Sequence, residues 1–264
     1  HAEYTAEMKY QGYQDVRGGG HFSGRLTAPI VAAGALVRKA LEEKGIFIGT
    51  HISRCGAIED ASFAEEELLS QITELNEKDF AVLSEEAGKE MIEKIQEARE
   101  ENDSVGGILE SVIVGLEAGL GEPVFDSFES LLAHGLFSIP AVKGVEFGSG
   151  FALADKKGSE ANDPLRIKDG KAVTVTNHNG GINGGITNGM PVVFRTVIKP
   201  TASIAREQNT INYKTMENAT LTIQGRHDPA IVHRARAVVD AISAMVVAEF
   251  LVQRYGYQSL RGEK

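Results

Sequence analysis

The pentapeptide Gly225-Arg-His-Asp-Pro229 places a guanidinium, an imidazole and a carboxylate next to one another. Alternating polar and apolar residues over 218–224 predict a strand before it, and apolar residues at helical spacing predict a helix over 231–255 after it. Asp228 is then expected to cap this helix, with Pro229 as the first helical residue. Because helix N-termini attract anions, the pattern indicates an anion site. A capped helix with a solvated Arg-His pair is the alternative.

Two glycine-rich segments are candidates for backbone contact with a ligand. Residues 17–25 contain three consecutive glycines, which predict a loop rather than a regular element. Within them Arg25, beside Ser23, is a candidate anion contact, with a solvated surface charge as the alternative. Residues 177–189 hold two Gly-Gly pairs and four asparagines, which predict tight turns with positive φ. This second segment does not match a dinucleotide fingerprint, because a strand over 192–199 follows it instead of a helix.

The end of that strand is a candidate phosphate cradle. Lys199 is followed by Pro200, Thr201, Ala202 and Ser203, so one cation and two hydroxyls occur within five residues. Other site types find no support in the sequence. Histidines do not occur in an i, i+4 pair and cysteines do not cluster, so no metal site is expected. A Gly-x-Ser-x-Gly elbow is absent, so a serine hydrolase is not expected.

Composition and charge narrow the class of protein. The 264 residues have a net charge of −10, and residues 59–103 alone hold 16 acidic against 4 basic residues. This acidic segment predicts solvated helices, and the absence of a basic stripe argues against nucleic-acid binding. No long uncharged apolar run occurs, so no membrane span is expected. Cys55 is the only cysteine and can form no internal disulfide, so a cytoplasmic protein with a buried thiol is expected.

The elements predicted along the chain alternate between helices and strands. A helix is expected from Thr27 to Gly45, two more within 59–103 with Ser84 as a cap, and a core-facing helix over 124–137 that includes Phe125. Strands are expected over 46–52, 108–116 and 172–176, and a further strand is expected to begin within 138–144 and to end at Phe147.

Seven segments, taken together, resemble the chorismate synthase family. They occur in family order: His1-Ala-Glu-Tyr-Thr5, Arg17-Gly-Gly-Gly20 with Ser23 and Arg25, Gly119-Leu-Gly-Glu-Pro-Val-Phe-Asp126, Ser138-Ile-Pro-Ala-Val-Lys-Gly-Val-Glu146, Gly180-Gly-Ile-Asn-Gly-Gly-Ile186, Lys199-Pro-Thr-Ala-Ser-Ile204 and Gly225-Arg-His-Asp-Pro229. The family's N-terminal part, with its Ser-His-Gly motif and several substrate-binding arginines, does not occur in these 264 residues. The resemblance therefore implies one N-terminally incomplete domain over 1–264.

The resemblance also implies a fold and a reaction. The expected fold is α+β, a β-α-β sandwich with antiparallel sheets packed on central helices, in a homotetramer. The expected reaction is a 1,4-elimination of phosphate from 5-enolpyruvylshikimate 3-phosphate, which gives chorismate in the shikimate pathway of aromatic amino acid biosynthesis. Reduced FMN is required without net redox, and because no appended reductase segment is seen, an external flavin reductase is expected to supply it.

The family's functional residues carry over by position. Asp228 matches the family residue that assists proton removal, and His1 matches the histidine near the flavin and substrate that donates a proton to the flavin. Arg25 matches a substrate-binding arginine. The flavin contacts match His21, Phe22, Ser23, Pro140, Ala141, Gly184, Lys199, Pro200, Thr201, Ala202, Ser203 and Arg226, with His21-Phe22 and Pro140 departing from the commonest family residues.

Two other functional readings remain open at this point. One is a flavin enzyme that catalyses net oxidoreduction, which would oxidise NAD(P)H as it turns over substrate. The other is a non-catalytic protein that binds phosphoanions or supports an assembly on the same fold, which would not turn over substrate with reduced FMN.

Overall fold

The computed structural model describes residues 2–15, 17–225 and 227–261. His1 and Arg226, both expected in the site, lie outside the described residues. The described residues form the α-helices α1 Glu3–Tyr10, α2 Ala28–Glu42, α3 Leu68–Glu77, α4 Glu85–Glu100, α5 Phe128–Phe137, α6 Gly158–Ala161 and α7 Val232–Tyr255. Their strands are β1 Phe47–Cys55, β2 Ile58–Glu59, β3 Gly107–Val114, β4 Val142–Phe147, β5 Leu165–Lys168, β6 Lys171–Thr174, β7 Ile182–Asn183, β8 Ile186–Thr187, β9 Val192–Ile198, β10 Glu207–Asn212 and β11 Glu217–Thr222.

Five of these strands form one antiparallel sheet, and the others pair as hairpins. The sheet has the order β2-β1-β3-β9-β4, and the hairpins are β5–β6, β7–β8 and β10–β11. Alternate residues of β9 are buried from Val192 to Ile198, as a strand with one face on a core requires. The predicted α+β class, with antiparallel sheets packed on helices, is confirmed.

The long helix α7 lies at the centre of the packing. Its residues 238–244 are all buried, so every side of the helix is covered over that stretch. One side packs on the sheet, where the Oγ1 atom of Thr50 donates to the Asp240 carboxylate at 2.6 Å. Another side packs on α2, where a Cβ added to Gly34 would lie 2.3 Å from the Cβ of Ala241. Gly34 therefore permits a close approach of the two helices that a larger residue would prevent.

The start of α7 corrects the first prediction. Asp228 does not cap the helix, which begins at Val232 with Ile231 at the cap position and no side-chain cap. The Asp228 carboxylate accepts instead from Arg234, and the carbonyl of Pro229 accepts from the backbone N–H of Val105 at 2.8 Å. These longer-range hydrogen bonds hold 228–231 outside the helix, although the local sequence favours an earlier start.

Two further local predictions were wrong. Residues Arg17–Phe22, expected to be irregular, form a 3-10 helix despite their three glycines. Phe125 is 86% exposed, in a 3-10 turn before α5. The helix itself begins only at Phe128, because the Oγ of Ser127 caps it by accepting from the backbone N–H of Ser130. The predicted cap at Ser84 is confirmed.

Candidate active site

A cleft of about 550 Å³ lies where four separate segments of the chain meet. Its volume falls within the range of small-molecule and cofactor sites. The lining residues are Phe22, Ser23, Gly24, Arg25, Thr27, Ile139, Pro140, Ala141, Lys199, Pro200, Thr201, Ala202, Ser203, Asp228, Ile231, Arg234, Ala235 and Val238. Four of the seven segments that carry the family resemblance, distant along the chain, therefore contribute residues to one cavity.

Backbone hydrogen bonds hold the loop over 199–203 against its neighbours. The N–H of Lys199 donates to the carbonyl of Ala141 at 2.9 Å. Ala141 has φ of +75°, a conformation that non-glycine residues seldom adopt and that clusters at functional sites. The Oγ of Ser104 donates to the carbonyl of Thr201 at 2.7 Å, and the next residue, Val105, bonds Pro229. Residues 104–105 thus connect the two polar segments of the cleft.

The segment that carries Arg25 is a short capped turn. The side chain of Ser23 accepts a hydrogen bond from the backbone N–H of Arg25 at 3.3 Å, at the start of the 3-10 helix Gly24–Thr27. α2 follows directly from Ala28, with Pro29 in its first turn, where the missing N–H costs nothing. This junction places Arg25 on the wall of the cleft, where its guanidinium can face an anion.

The cleft is positively charged within an acidic protein. Among the lining residues that the structure describes, Arg25, Lys199 and Arg234 are cationic and Asp228 is the carboxylate. The whole chain has a net charge of −10. A local excess of cations in a concave site raises the concentration of anionic ligands there.

Asp228 and Arg234 form an ion pair inside the cleft. The Nη1 atom of Arg234 lies 2.8 Å from the Oδ2 atom of Asp228, and the two side chains are 62% and 43% exposed. Within the described parts of the chain, the second carboxylate oxygen, Oδ1, has no hydrogen-bond partner. The carboxylate is therefore held through one oxygen, and the other can accept a proton or a hydrogen bond.

Thr201 provides an observation on whether the cleft fits a polar ligand. Its Oγ1 atom is buried, and it has no hydrogen-bond partner among the described residues. A buried hydroxyl without a partner is costly, since it has lost its hydrogen bonds to water. A ligand with phosphate or carbonyl oxygens would supply the missing partner, so the residues present fit a phosphate-containing cofactor.

The structure brings together most of the predicted site residues that it describes. Phe22, Ser23, Arg25, Pro140, Ala141, the run 199–203 and Asp228 all line the cleft. His21 and Gly184 do not line it; Gly184 lies in the turn between β7 and β8, with φ of +60°. The asparagine-rich stretch around that turn makes hydrogen bonds to its own backbone. For example, the N–H of Gly181 donates to the Oδ1 atom of Asn177.

Sequence reasoning missed Arg234, Thr27 and Ser104. Arg234 carries a signal only once the helix start is known: with the observed start at Val232 it lies in the first turn, where a cation is unfavourable with the helix dipole, whereas the expected start at Pro229 puts it beyond that turn. Ser104 gave no such signal, because its role depends on a contact 97 residues away.

A second cavity of about 500 Å³ lies between α2 and α7, but four of its charged side chains, those of Arg38, Glu42, Arg236 and Asp240, already have partners. Arg236 donates to the Oδ1 of Asn76 at 2.7 Å and lies 3.6 Å from Asp240, which Arg38 also approaches at 3.9 Å. Burial raises the pKa of Asp240, against the effect of Arg236. The first cleft therefore remains the better candidate for an anionic ligand.

Two general features complete the description. In residues 2–15, 17–225 and 227–261, no cluster of three or more His, Cys, Asp or Glu could hold a metal ion. In the same ranges, no helix is long and apolar enough to cross a membrane.

Comparison with known proteins decides the family. The family model described as chorismate synthase matches residues 1–252. The chain belongs to the chorismate synthase family. It is 50% identical to the chorismate synthase of Pyrococcus abyssi over 254 residues, which cover 96% of this chain and 70% of that relative. The identity to the chorismate synthase of Thermococcus kodakarensis is 47%, over 98% of this chain and 71% of the relative.

A solved structure supports the same assignment. A crystal structure of chorismate synthase superposes with a TM-score of 0.78 at 30% sequence identity, over 96% of this chain and 71% of that one. The chain thus spans about 70% of the length of the chorismate synthases that it matches. The family named from the seven sequence segments is confirmed.

Proposed function

We propose that the cleft lined by Arg25, Lys199, Thr201, Asp228 and Arg234 binds 5-enolpyruvylshikimate 3-phosphate together with reduced FMN. Membership of the chorismate synthase family makes the chain a lyase of the shikimate pathway. The observation that carries the placement is the cleft itself, in which three cations and an unsatisfied hydroxyl surround one carboxylate. Both ligands carry phosphate, and the excess of cations fits them.

The elimination removes a ring proton, and the electrons of that C–H bond form a new double bond. The double bond already in the ring moves by one position, and phosphate leaves its ring carbon with the electrons of the C–O bond. Arg25 is placed to bind the phosphate of the substrate, where its guanidinium can make charge-assisted hydrogen bonds. Asp228 assists the removal of the proton, and its free Oδ1 is the atom that can accept it. Reduced FMN, when bound, supplies the transient electron donation that helps the phosphate to leave, without net redox.

The flavin contacts are assigned to the loop over 199–203 and the turn at 140–141. Lys199 offers a cation and Thr201 a buried hydroxyl that has no partner among the described residues, and Pro140 and Ala141 line the cleft beside them. His21, Gly184 and Arg226 belong to the same proposal through the family resemblance, as does His1 in its role of proton donor. The test of these four is substitution, since two lie outside the described residues and two outside the cleft lining.

Three further properties are proposed from the family and the composition. The enzyme is a homotetramer in which residues 1–264 of each subunit belong to one domain, and sedimentation of a monomer at micromolar concentration would contradict the tetramer. Reduced FMN comes from an external flavin reductase. The enzyme works in the cytoplasm, in keeping with a single cysteine, Cys55, that is fully buried in the sheet.

The decisive experiment is an anaerobic assay of the full-length protein. Chorismate formation is followed after substrate is added with FMN that has been reduced beforehand, and NAD(P)H is added in a parallel reaction. Turnover of many substrate molecules per flavin, with no stoichiometric oxidation of NAD(P)H, is expected. Turnover coupled one-to-one to NAD(P)H oxidation would indicate a net oxidoreductase, and no turnover would indicate a binding protein.

A further inference from the structure

Arg234 occupies a position that helix energetics disfavour. It is the third residue of α7, whose first turn contains no acidic residue and whose cap position has no side-chain cap. The free N–H groups at such a helix start carry partial positive charge, so a guanidinium in this turn is destabilising on its own. Its long side chain reaches back six residues along the chain to the Asp228 carboxylate in the cleft.

The ion pair contributes little to folding. Arg234 and Asp228 are 62% and 43% exposed, and pairs between exposed side chains are screened by water and salt. The weak ion pair therefore does not by itself account for a cation in a position that the helix dipole disfavours. The explanation lies in the contact itself, because the Asp228 carboxylate is a group to which the proposed function assigns proton removal.

We propose that Arg234 is a positioning residue for Asp228. Asp228 lies three residues before Ile231, the cap position of α7, and in the described structure its carboxylate accepts no hydrogen bond from the backbone N–H groups of the first turn. Arg234 holds Oδ2 at 2.8 Å instead, and so directs the unpartnered Oδ1 into the cleft, where the ring proton must be accepted. Without the guanidinium, the carboxylate loses this orientation. This inference rests on the proposed function of the cleft.

The test compares variants of the full-length enzyme with reduced FMN. Arg234→Met keeps the length and apolar stem of the side chain but removes the guanidinium. It is expected to lower kcat about 10- to 100-fold, since a hydrogen bond to a charged group is lost, while KM changes by less than about threefold. Arg234→Lys restores a cation but not the planar fork, so it should recover part of the lost kcat.

The control is Lys94→Met on α4, which contributes no residue to the cleft. Lys94 forms an ion pair with Glu97 at 2.9 Å, and the two side chains are 45% and 60% exposed, close to the values for Arg234 and Asp228. This variant should keep wild-type kcat and KM. Both Met variants should unfold within about 2 °C of wild type, because exposed pairs contribute little.

A double variant separates positioning from other roles. In an Asp228→Asn background, Arg234→Met should cause almost no further loss of kcat, because the residue acts through the carboxylate. A raised KM with unchanged kcat would overturn the proposal and make Arg234 a direct substrate contact. An equal fold-loss in both backgrounds, or a kcat like that of the Lys94→Met control, would also overturn it. If wild type itself fails to form chorismate, the proposed function fails instead.

Discussion

At the scale of the residue, Asp228 does not cap the helix that follows it, so only its proposed role in proton removal remains. The helix that it precedes begins at Val232 without its help, and its carboxylate bonds Arg234 in a partly exposed pair. Its substitution should therefore have little structural cost. Asp228→Asn and Asp228→Ala should both unfold within about 2 °C of wild type, although the sequence alone predicted a lost cap for the alanine variant.

The chemical cost of the same substitutions should be large. A positioned acid or base contributes about 10²–10⁴-fold to rate, so turnover should fall by that factor in both variants while flavin affinity is kept. Steady-state assays with reduced FMN, run beside thermal unfolding, measure the two effects on the same preparations. A near wild-type rate for Asp228→Asn would place the base elsewhere.

Thr201 allows a second test, because its unpartnered hydroxyl is expected to destabilise the free protein and to strengthen the binding of reduced FMN. Thr201→Val removes a buried oxygen that has no partner in the described structure while it keeps the shape of the side chain. Without ligand, the free energy of unfolding should stay level or rise, by at most about 1–3 kcal/mol. Affinity for reduced FMN should fall about tenfold, as expected for one lost hydrogen bond.

The matched control for that test lies on β9. Thr196 also has a buried Oγ1 without a partner in the described part of the chain, but it does not line the cleft. Thr196→Val should change stability in the same direction and leave flavin affinity unchanged. Equal affinities for the Thr201 and Thr196 variants would exclude the Thr201 hydroxyl as a flavin contact.

At the scale of the element, a buried charge network joins β1 to its neighbours. His51 of β1 is fully buried, with Nδ1 2.7 Å from Asp60 and Nε2 3.1 Å from Glu110 of β3, which in turn lies 3.6 Å from Arg195 of β9. Burial alone would lower the pKa of His51, but the two carboxylates outweigh it and hold the pKa above its usual value. Asp60 also accepts from the backbone N–H groups of Leu83 and Ser84, so the network fixes the segment before α4.

This network predicts a loss of stability at alkaline pH. Because the pKa of His51 is raised on folding, its contribution is complete below about pH 6.5, the unfolded value, and disappears as pH rises through the folded pKa. His233 behaves in the opposite way, because burial lowers its pKa. It therefore reduces the stability of the protein only as pH falls below about 6.5, the unfolded value. The two histidines therefore act in separate pH ranges.

Denaturant unfolding between pH 6.5 and pH 9 measures the effect of His51. Wild type should lose stability across this range, and His51→Gln should be less stable at pH 6.5 and nearly independent of pH above it. His134→Gln, at an exposed position on α5, serves as the control and should keep the wild-type slope. A wild-type slope that persists in His51→Gln would show that another group titrates.

At the scale of the whole molecule, local pattern predicted the elements but not their arrangement. The alternation in β9 and the apolar spacing in α7 reflect contacts that each element makes along its own length. The strand order β2-β1-β3-β9-β4 depends on pairing between distant segments, which no local period records. The predicted cap at Asp228 failed partly for the same reason: its carboxylate accepts from Arg234, and the backbone N–H of the distant Val105 donates to the carbonyl of the neighbouring Pro229.

The candidate site was predictable to the extent that family motifs mark it. The resemblance supplied Arg25, Lys199 and Asp228, and the cleft brings these three together. It did not supply Ser104, because a serine that donates to the carbonyl of Thr201 has no distinctive neighbourhood in the sequence. Residues that are proposed to contact the ligands carried a signal, whereas those that hold the surrounding loops in place did not.

The four-segment construction of the cleft predicts that its two ligands bind cooperatively. The 3-10 turn at 24–27 and the loop over 199–203 both line the cavity, and no hydrogen bond joins them within the described residues. The first ligand to bind therefore orders segments that the second also needs. Flavin titrations should show reduced FMN binding more tightly than oxidised FMN, and more tightly still when substrate is present. By linkage, reduced FMN must improve substrate affinity by the same factor, which provides an internal check on the measurement.

The midpoint of thermal unfolding should rise in the same order, because a ligand at 100 times its Kd stabilises by about 2.7 kcal/mol. Lys199→Ala should reduce each of these shifts without lowering the midpoint of the free protein, whereas equal affinities for oxidised and reduced FMN, or affinities independent of substrate, would contradict the coupling.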